Sequence, residues 1–250
     1  LKETIIEIRN LSAQYGEKVV LHDISADFYK DEIRVILGTS GCGKTTLLKN
    51  IIGLEKPVKG SAKIFGTLIG ELDAPETTAV LKKIGVMYQN GALLGSLTVA
   101  QNVALPLKMH TKLNDALIEE IVREKLKDVR MGHAYDLFPD ELSGGMRKRA
   151  AIARALVLDP PILFCDEPSA GLDPVTSAGL DALFMEMRDK LGITIVVVTH
   201  EIESIKTIAD SILYLEKGLV CFDGTLKDGL AQTEGKVYDF FNRIDRSENR

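Results

Sequence analysis

One stretch constrains this chain more than any other: Gly38-Thr39-Ser40-Gly41-Cys42-Gly43-Lys44-Thr45 fits GxxxxGK[ST]. The apolar run Ile33 to Leu37 ahead of it reads as a buried strand ending at Gly38. The segment Thr45 to Ile52 after it reads as a helix stopped by Gly53. A loop in that setting needs glycines so that backbone N–H groups can wrap a phosphate, and the helix start adds about half a positive charge. Lys44 is then the residue for the β/γ oxygens and the Thr45 hydroxyl the one for Mg²⁺; Thr46 is counted with the loop. The plain alternative, a glycine-rich turn without a ligand, fits the strand-to-helix context poorly.

The surrounding pattern predicts an α/β fold. Thr4 to Phe28 is strand-like, with Ile5, Ile6, Ile8, Val19 to Leu21, Ile24 and Phe28 separated by the turn Gly16-Glu17-Lys18, which implies an antiparallel β-layer. Gly60 and Gly66 bracket the strand Ser61 to Phe65, and Ile84 to Tyr88 reads as a strand closing at Gln89. From Thr98 to Leu158 the period turns helical, with Leu117, Ile118, Ile121, Val122, Leu126 and Val129 on one stripe, so a helical insertion is expected. Alternation then resumes: strand Ile162 to Cys165, helix Ser177 to Leu191, strand Ile193 to Val198, helix Ile202 to Ile208, and strands at Ile212 to Leu215 and Leu219 to Phe222. Such alternation implies a mainly parallel, buried sheet. Val237, Phe240, Phe241 and Ile244 then predict an amphipathic closing helix, expected to pack on its own core, before the polar end Arg246 to Arg250.

Two further segments carry chemistry. Ile162-Leu163-Phe164-Cys165-Asp166-Glu167 is an apolar strand ending in two carboxylates, and a Mg²⁺-nucleotide site needs one acid for the metal. Asp166 is the candidate. Because neighbouring strand residues point to opposite faces, Glu167 is left to orient or deprotonate an attacking water. A solvated acidic strand end is the bland alternative. Leu142-Ser143-Gly144-Gly145-Met146 places a Ser N-cap and two glycines before the helical run Arg147 to Leu156, a second anion-binding helix start.

Phosphate loop, LSGGM, the ILFCDE strand, Ser169-Ala170-Gly171-Leu172-Asp173 and His200 stand in the order of an ABC-type ATPase, which the chain resembles over nearly its whole length. The resemblance implies one ABC ATPase domain over 1–250, with residues 1–90 and 159–229 forming the β-layer and a RecA-like core. Residues 91–158 would form the helical subdomain and 230–250 a tail. It implies ATP and Mg²⁺ as ligands, and a head-to-tail homodimer in which each ATP lies between the phosphate loop of one copy and Ser143, Gly144 and Gly145 of the other. Tyr15 would stack on adenine, Gln89 would touch the Mg²⁺ and water region and sense a membrane partner, Asp173 would signal across the dimer, and His200 would contact the γ-phosphate. By residues alone, Tyr15 also suits a hairpin aromatic, Gln89 a strand end and His200 a capped strand end; Cys42 is a spacer whose helix-start position favours a lowered pKa.

Met146 stands where the commoner signature has Gln. Together with Met87-Tyr88-Gln89-Asn90-Gly91-Ala92-Leu93-Leu94 and Gly171-Leu172-Asp173-Pro174, it resembles the ATPase of Mla-type bacterial lipid transporters. That implies integral membrane permease subunits docking around Asn90 to Lys108, an MCE-domain lipid-binding partner, phospholipid movement between inner and outer membranes, and a peripheral place on the cytoplasmic face of the inner membrane. The rival is a soluble ABC ATPase, such as one of iron–sulfur cluster assembly.

Composition narrows the rest. With 31 Lys+Arg against 36 Asp+Glu and a net charge of −5, nothing drives the chain toward nucleic acid, and none is expected as a partner. The longest apolar run, at Ile193 to Val198, is far short of the ~20 residues of a spanning helix. Leu1 to Arg9 alternates charged and apolar residues rather than forming a basic-then-apolar leader, so a cytosolic location is expected. Cys42, Cys165 and Cys221 lack CxxC spacing, which supports neither zinc nor disulfides and fits a reducing compartment.

Overall fold

The computed structural model describes residues 2–70 and 75–244; Leu1 and the predicted polar end Arg246 to Arg250 lie outside the described residues. In chain order the elements are β1 (Thr4–Tyr15), β2 (Lys18–Tyr29), β3 (Ile33–Gly38), α1 (Lys44–Ile51), β4 (Lys59–Ile64), β5 (Thr67–Ile69), α2 (Pro75–Leu81), β6 (Ile84–Met87), α3 (Val99–His110), α4 (Asp115–Asp128), α5 (Gly144–Leu156), β7 (Ile162–Asp166), α6 (Pro174–Leu191), β8 (Thr194–Val198), α7 (Ile202–Ile208), β9 (Ser211–Glu216), β10 (Leu219–Thr225), α8 (Leu226–Leu230) and α9 (Gly235–Phe241). Two compact units emerge, one of residues 1–78 and 197–250, the other of residues 79–196.

In the first unit, β1 and β2 form the expected hairpin, and β4 and β5 extend it to an antiparallel sheet in the order β2-β1-β4-β5. Ile6, Ile8 and Leu11 from β1 and Leu21, Ile24 and Phe28 from β2 are fully buried, each stabilising the layer by ~1.5–3 kcal/mol relative to exposure. Gly60 does not bracket β4 as predicted but lies inside it. The strand there crosses the irregularity of β1 at Asn10, and a Cβ on Gly60 would sit 2.2 Å from the Asn10 carbonyl oxygen. The same unit holds β3, buried at every residue, parallel to β9, with β10 antiparallel to β9. In α9, Val237 and Phe241 are buried and the Phe240 ring lies tilted by 59° against Tyr214 with centroids 5.5 Å apart, so the closing helix does pack on its own core. Ile244, predicted on that helix, lies beyond its end and is exposed.

In the second unit, β6 and β7 pair in parallel from Ile84 opposite Ile162 to Met87 opposite Cys165. Thr98 starts α3 with a capping box, its side chain accepting from Gln101 N while the Gln101 side chain accepts from Thr98 N. Asn114 caps α4, whose buried stripe is Ile118, Val122 and Leu126, continued by Val129. Leu117 and Ile121, predicted on that stripe, fall at its solvent edge: the apolar face is narrower than the periodicity suggested. Buried Asn102 on α3 donates to the carbonyls of Leu94, Leu97 and Thr98 and accepts from Leu94 N at 2.8 Å, which orders the segment after Gln89.

Candidate active site

In the first unit, β3 delivers the phosphate loop to the start of α1. Gly38 has φ 151°, and a Cβ there would meet the Leu215 carbonyl oxygen at 2.1 Å and Cys42 Sγ at 2.7 Å, so the loop closes against β9 only with glycine. Lys44 is 7% exposed, and its ammonium donates to the carbonyls of Gly38 at 2.9 Å and Thr39 at 3.2 Å. The cation is thus folded over its own loop. The first turn of α1 carries no acidic residue and no side chain caps Gly43, which leaves an N-terminus suited to an anion. These features fit a Mg²⁺-nucleotide: amides and an ammonium for the phosphates, and a threonine hydroxyl at Thr45 for the metal.

Cys42 holds the loop through its backbone, its N–H donating to Thr39 O at 3.2 Å and its carbonyl accepting from Gly218 N at 3.0 Å. Its thiol is buried, and burial raises its pKa despite the opposing charge of Lys44. The lowering anticipated from its helix-start position is therefore overturned by desolvation. Tyr15 ends β1, and its ring is 50% exposed. Its hydroxyl donates to Glu55 at 2.5 Å and lies 3.5 Å from Thr46 Oγ1, so it is a hairpin aromatic anchored beside α1. Thr199 N donates to Ile36 O at 3.2 Å, tying the turn that bears half-exposed His200 to the strand feeding the loop.

In the second unit, Asp166 is the last residue of β7 and is buried, while Gln89 lies two residues beyond the end of β6 and is exposed. Glu167 departs from the expected strand alternation. It has left the strand and adopts φ 47°, so its separation from Asp166 arises from a left-handed turn rather than from the pleat.

Lys148, a residue without a predicted role, stands between these groups. It is 6% exposed, and its ammonium donates to the main-chain carbonyls of Gln89 and Glu167. Burial lowers its pKa, opposed by the nearby Cys165, Glu167 and Asp166. The signal was present in the sequence: Lys148 is three residues from Gly145 and Ala151 and four from Ile152, a charge within the buried stripe of α5.

Ser143 caps α5, its hydroxyl accepting from Met146 N at 3.3 Å, and Ser143 and Gly144 are exposed. Asp173 caps α6: Oδ1 accepts from Val175 N and Thr176 N at 3.0 Å, and Oδ2 accepts from the Thr176 hydroxyl at 2.5 Å. These donors, the Thr176 hydroxyl foremost, hold its carboxyl below the usual range. Gly145 packs against Thr176, so the two helix starts adjoin.

Comparison with known proteins places the chain in a family. A family profile described as ABC transporter matches residues 21–170. Over 238 residues the chain is 43% identical to the probable ribonucleotide transport ATP-binding protein mkl of Mycobacterium leprae, covering 95% of this chain and 68% of that protein. Across the mycobacterial relatives of that name it spans about two thirds of their length, 66% to 68%. It is 37% identical over 240 residues to the intermembrane phospholipid transport system ATP-binding protein MlaF of Haemophilus influenzae, covering 96% of this chain and 91% of that one. The dimeric ATP-binding cassette MJ0796, solved with ADP and Pi in a post-hydrolysis state, superposes with a TM-score of 0.81 at 32% identity, covering 89% of this chain and 99% of its own.

Proposed function

Because the chain belongs to the ABC transporter family, as an ATP-binding subunit that hydrolyses MgATP on the ATP-binding cassette fold, we propose that it powers phospholipid transport between bacterial inner and outer membranes. The observation that carries this reading is the likeness to MlaF across 91% of that protein's length. Among the described residues no helix is long and apolar enough to cross a membrane, so a permease has to be a separate chain or segment.

In this reading the loop from Gly38 to Thr45, with Thr46, holds the phosphates, and Tyr15 stacks on the adenine. Thr45, Gln89 and Asp166 supply the magnesium ligands, and bound Mg²⁺ neutralises charge on the phosphoryl oxygens. Glu167 orients or deprotonates the attacking water, and His200 contacts the γ-phosphate. Ser143, Gly144 and Gly145 reach the ATP of a second copy, and Asp173 signals across that homodimer. Permease subunits dock near Asn90 to Lys108 on the cytoplasmic face of the inner membrane, with an MCE-domain lipid-binding protein as a further partner and no nucleic acid.

The test is capture of tagged Glu167→Gln protein with MgATP from detergent-solubilised native membranes and, in parallel, from cytosol, with proteins and lipids identified by mass spectrometry. The expected result is a multispan permease, an MCE partner and bound phospholipid. Recovery of a permease with nucleotide-type cargo, as the mkl name suggests for that relative, would redirect the cargo; recovery with soluble assembly factors alone would overturn the transporter reading.

A further inference from the structure

Gln89 and Glu167 both lie outside regular strand pairing, β6 having ended at Met87 and β7 at Asp166. Their backbones are held instead from α5. The Lys148 ammonium donates to the Gln89 carbonyl and to the Glu167 carbonyl, the latter at 3.3 Å. Six residues along the same helix, Arg154 donates to the carbonyls of Gly91 at 2.8 Å and Ala92 at 2.7 Å. A Cβ on Gly91 would lie 3.3 Å from Ala151 Cβ, so the segment 89–92 lies against α5 along two turns of the helix.

A buried ammonium is costly unless its N–H groups are bonded, and here the bonds go to main-chain carbonyls rather than to a carboxylate partner. A bond to a carbonyl fixes its peptide plane, and that plane sets the direction in which the neighbouring side chain leaves the backbone. Glu167, at φ 47°, sits in a conformation that a non-glycine residue keeps only when its surroundings impose it.

We propose that Lys148 is a positioning residue for ATP hydrolysis, holding the Gln89 and Glu167 backbones in one register from a single ammonium. The inference rests on the roles given above to Gln89 and Glu167. A displacement of the Gln89 segment by a docked partner then reaches Glu167 through one side chain, and the helix that does this is the one that begins at Ser143-Gly144-Gly145.

The full chain is tested by steady-state ATPase kinetics and by equilibrium binding of a fluorescent ATP analogue. Lys148→Met keeps the apolar stem and loses all donors. It is expected to lower kcat at least about tenfold, because small misplacements of reacting groups cost that much, while KM and analogue affinity stay near wild type. Lys148→Arg, which keeps donors, is expected to recover most of the rate. A kcat near wild type in Lys148→Met, a parallel loss of rate and binding, or no recovery in Lys148→Arg overturns the proposal.

If Lys148→Met gives no cooperative thermal melt, Lys148→Leu, which likewise has no donor, decides: reduced kcat at unchanged affinity supports the pin, and wild-type kcat or failure to fold overturns it. Glu167→Gln is measured alongside. Turnover retained there defeats the Glu167 assignment and the inference with it; turnover lost there but kept in Lys148→Met defeats the pin alone.

Discussion

Gly145 and Thr176 are in contact that leaves no room for a single added carbon: a Cβ on Gly145 would lie 2.4 Å from Thr176 Cγ2. The start of α5 and the start of α6 are therefore spaced by the smallest side chain available. Gly145→Ala is expected to destabilise the fold by ~1–3 kcal/mol through overpacking. Adding Thr176→Ser removes the colliding methyl and keeps the hydroxyl on Asp173, so the double variant should regain most of that loss. Denaturant unfolding of the two variants checks both steps.

Lys44 faces the carbonyls of Gly38 and Thr39 and not an acid, so its charge is uncommitted to any carboxylate within the loop. Lys44→Met should weaken MgATP binding about 10- to 100-fold, the range for loss of charge-assisted hydrogen bonds. Calorimetric titration with MgATP measures this. Unchanged affinity would remove Lys44 from the phosphate site.

The Tyr15 ring is fixed by Glu55, yet half of it faces solvent. Tyr15→Ala should cost ATP affinity by ~1–3 kcal/mol, the range for stacking of a base on an aromatic ring, whereas Tyr15→Phe should keep that affinity and lose only the hydrogen bond. Parallel ATP titrations of the two variants separate ring from hydroxyl; a Tyr15→Ala protein that binds ATP normally would leave only the hairpin role.

Asp173 gives a pH signature. Its folded-state pKa is depressed by the Thr176 and Val175 donors, so its contribution to stability is complete above the ordinary aspartate value of ~3.9 and fades only as pH falls through the lower folded value. The Tm deficit of Asp173→Ala should be constant from neutral pH down to the ordinary aspartate value of ~3.9, shrink as pH falls from there toward the lower folded value, and be smallest below it. Thermal melts across that span decide; a deficit that disappears already near neutrality would contradict the cap.

Much of this was written locally in the chain. The hairpin, β3 with its loop, helix α7 at its predicted bounds and the N-cap Ser143 follow from short-range patterns, because a strand, a cap or a turn depends on a few adjacent residues. What escaped depends on neighbours distant in sequence. Strand β5 is three residues long and exists only by pairing with β4. Gly60 could not be read as a strand residue without knowing that Asn10 crosses it. Glu167 carries no sign of its left-handed turn, since glycine, asparagine and aspartate are the residues that advertise such a conformation. Lys148 falls by spacing on the buried stripe of α5, but what it holds, 59 and 19 residues away, is seen only in the fold.

The thiol of Cys42 has a consequence for how the protein withstands oxidants. A cysteine reacts as its thiolate, and here burial favours the protonated form at a position only 4% exposed. The loop from Gly38 to Thr45 thus carries a sulfhydryl whose reactive thiolate form is disfavoured. Peroxide or alkylating agents would meet the exposed Cys221 first, on β10 and outside the phosphate loop.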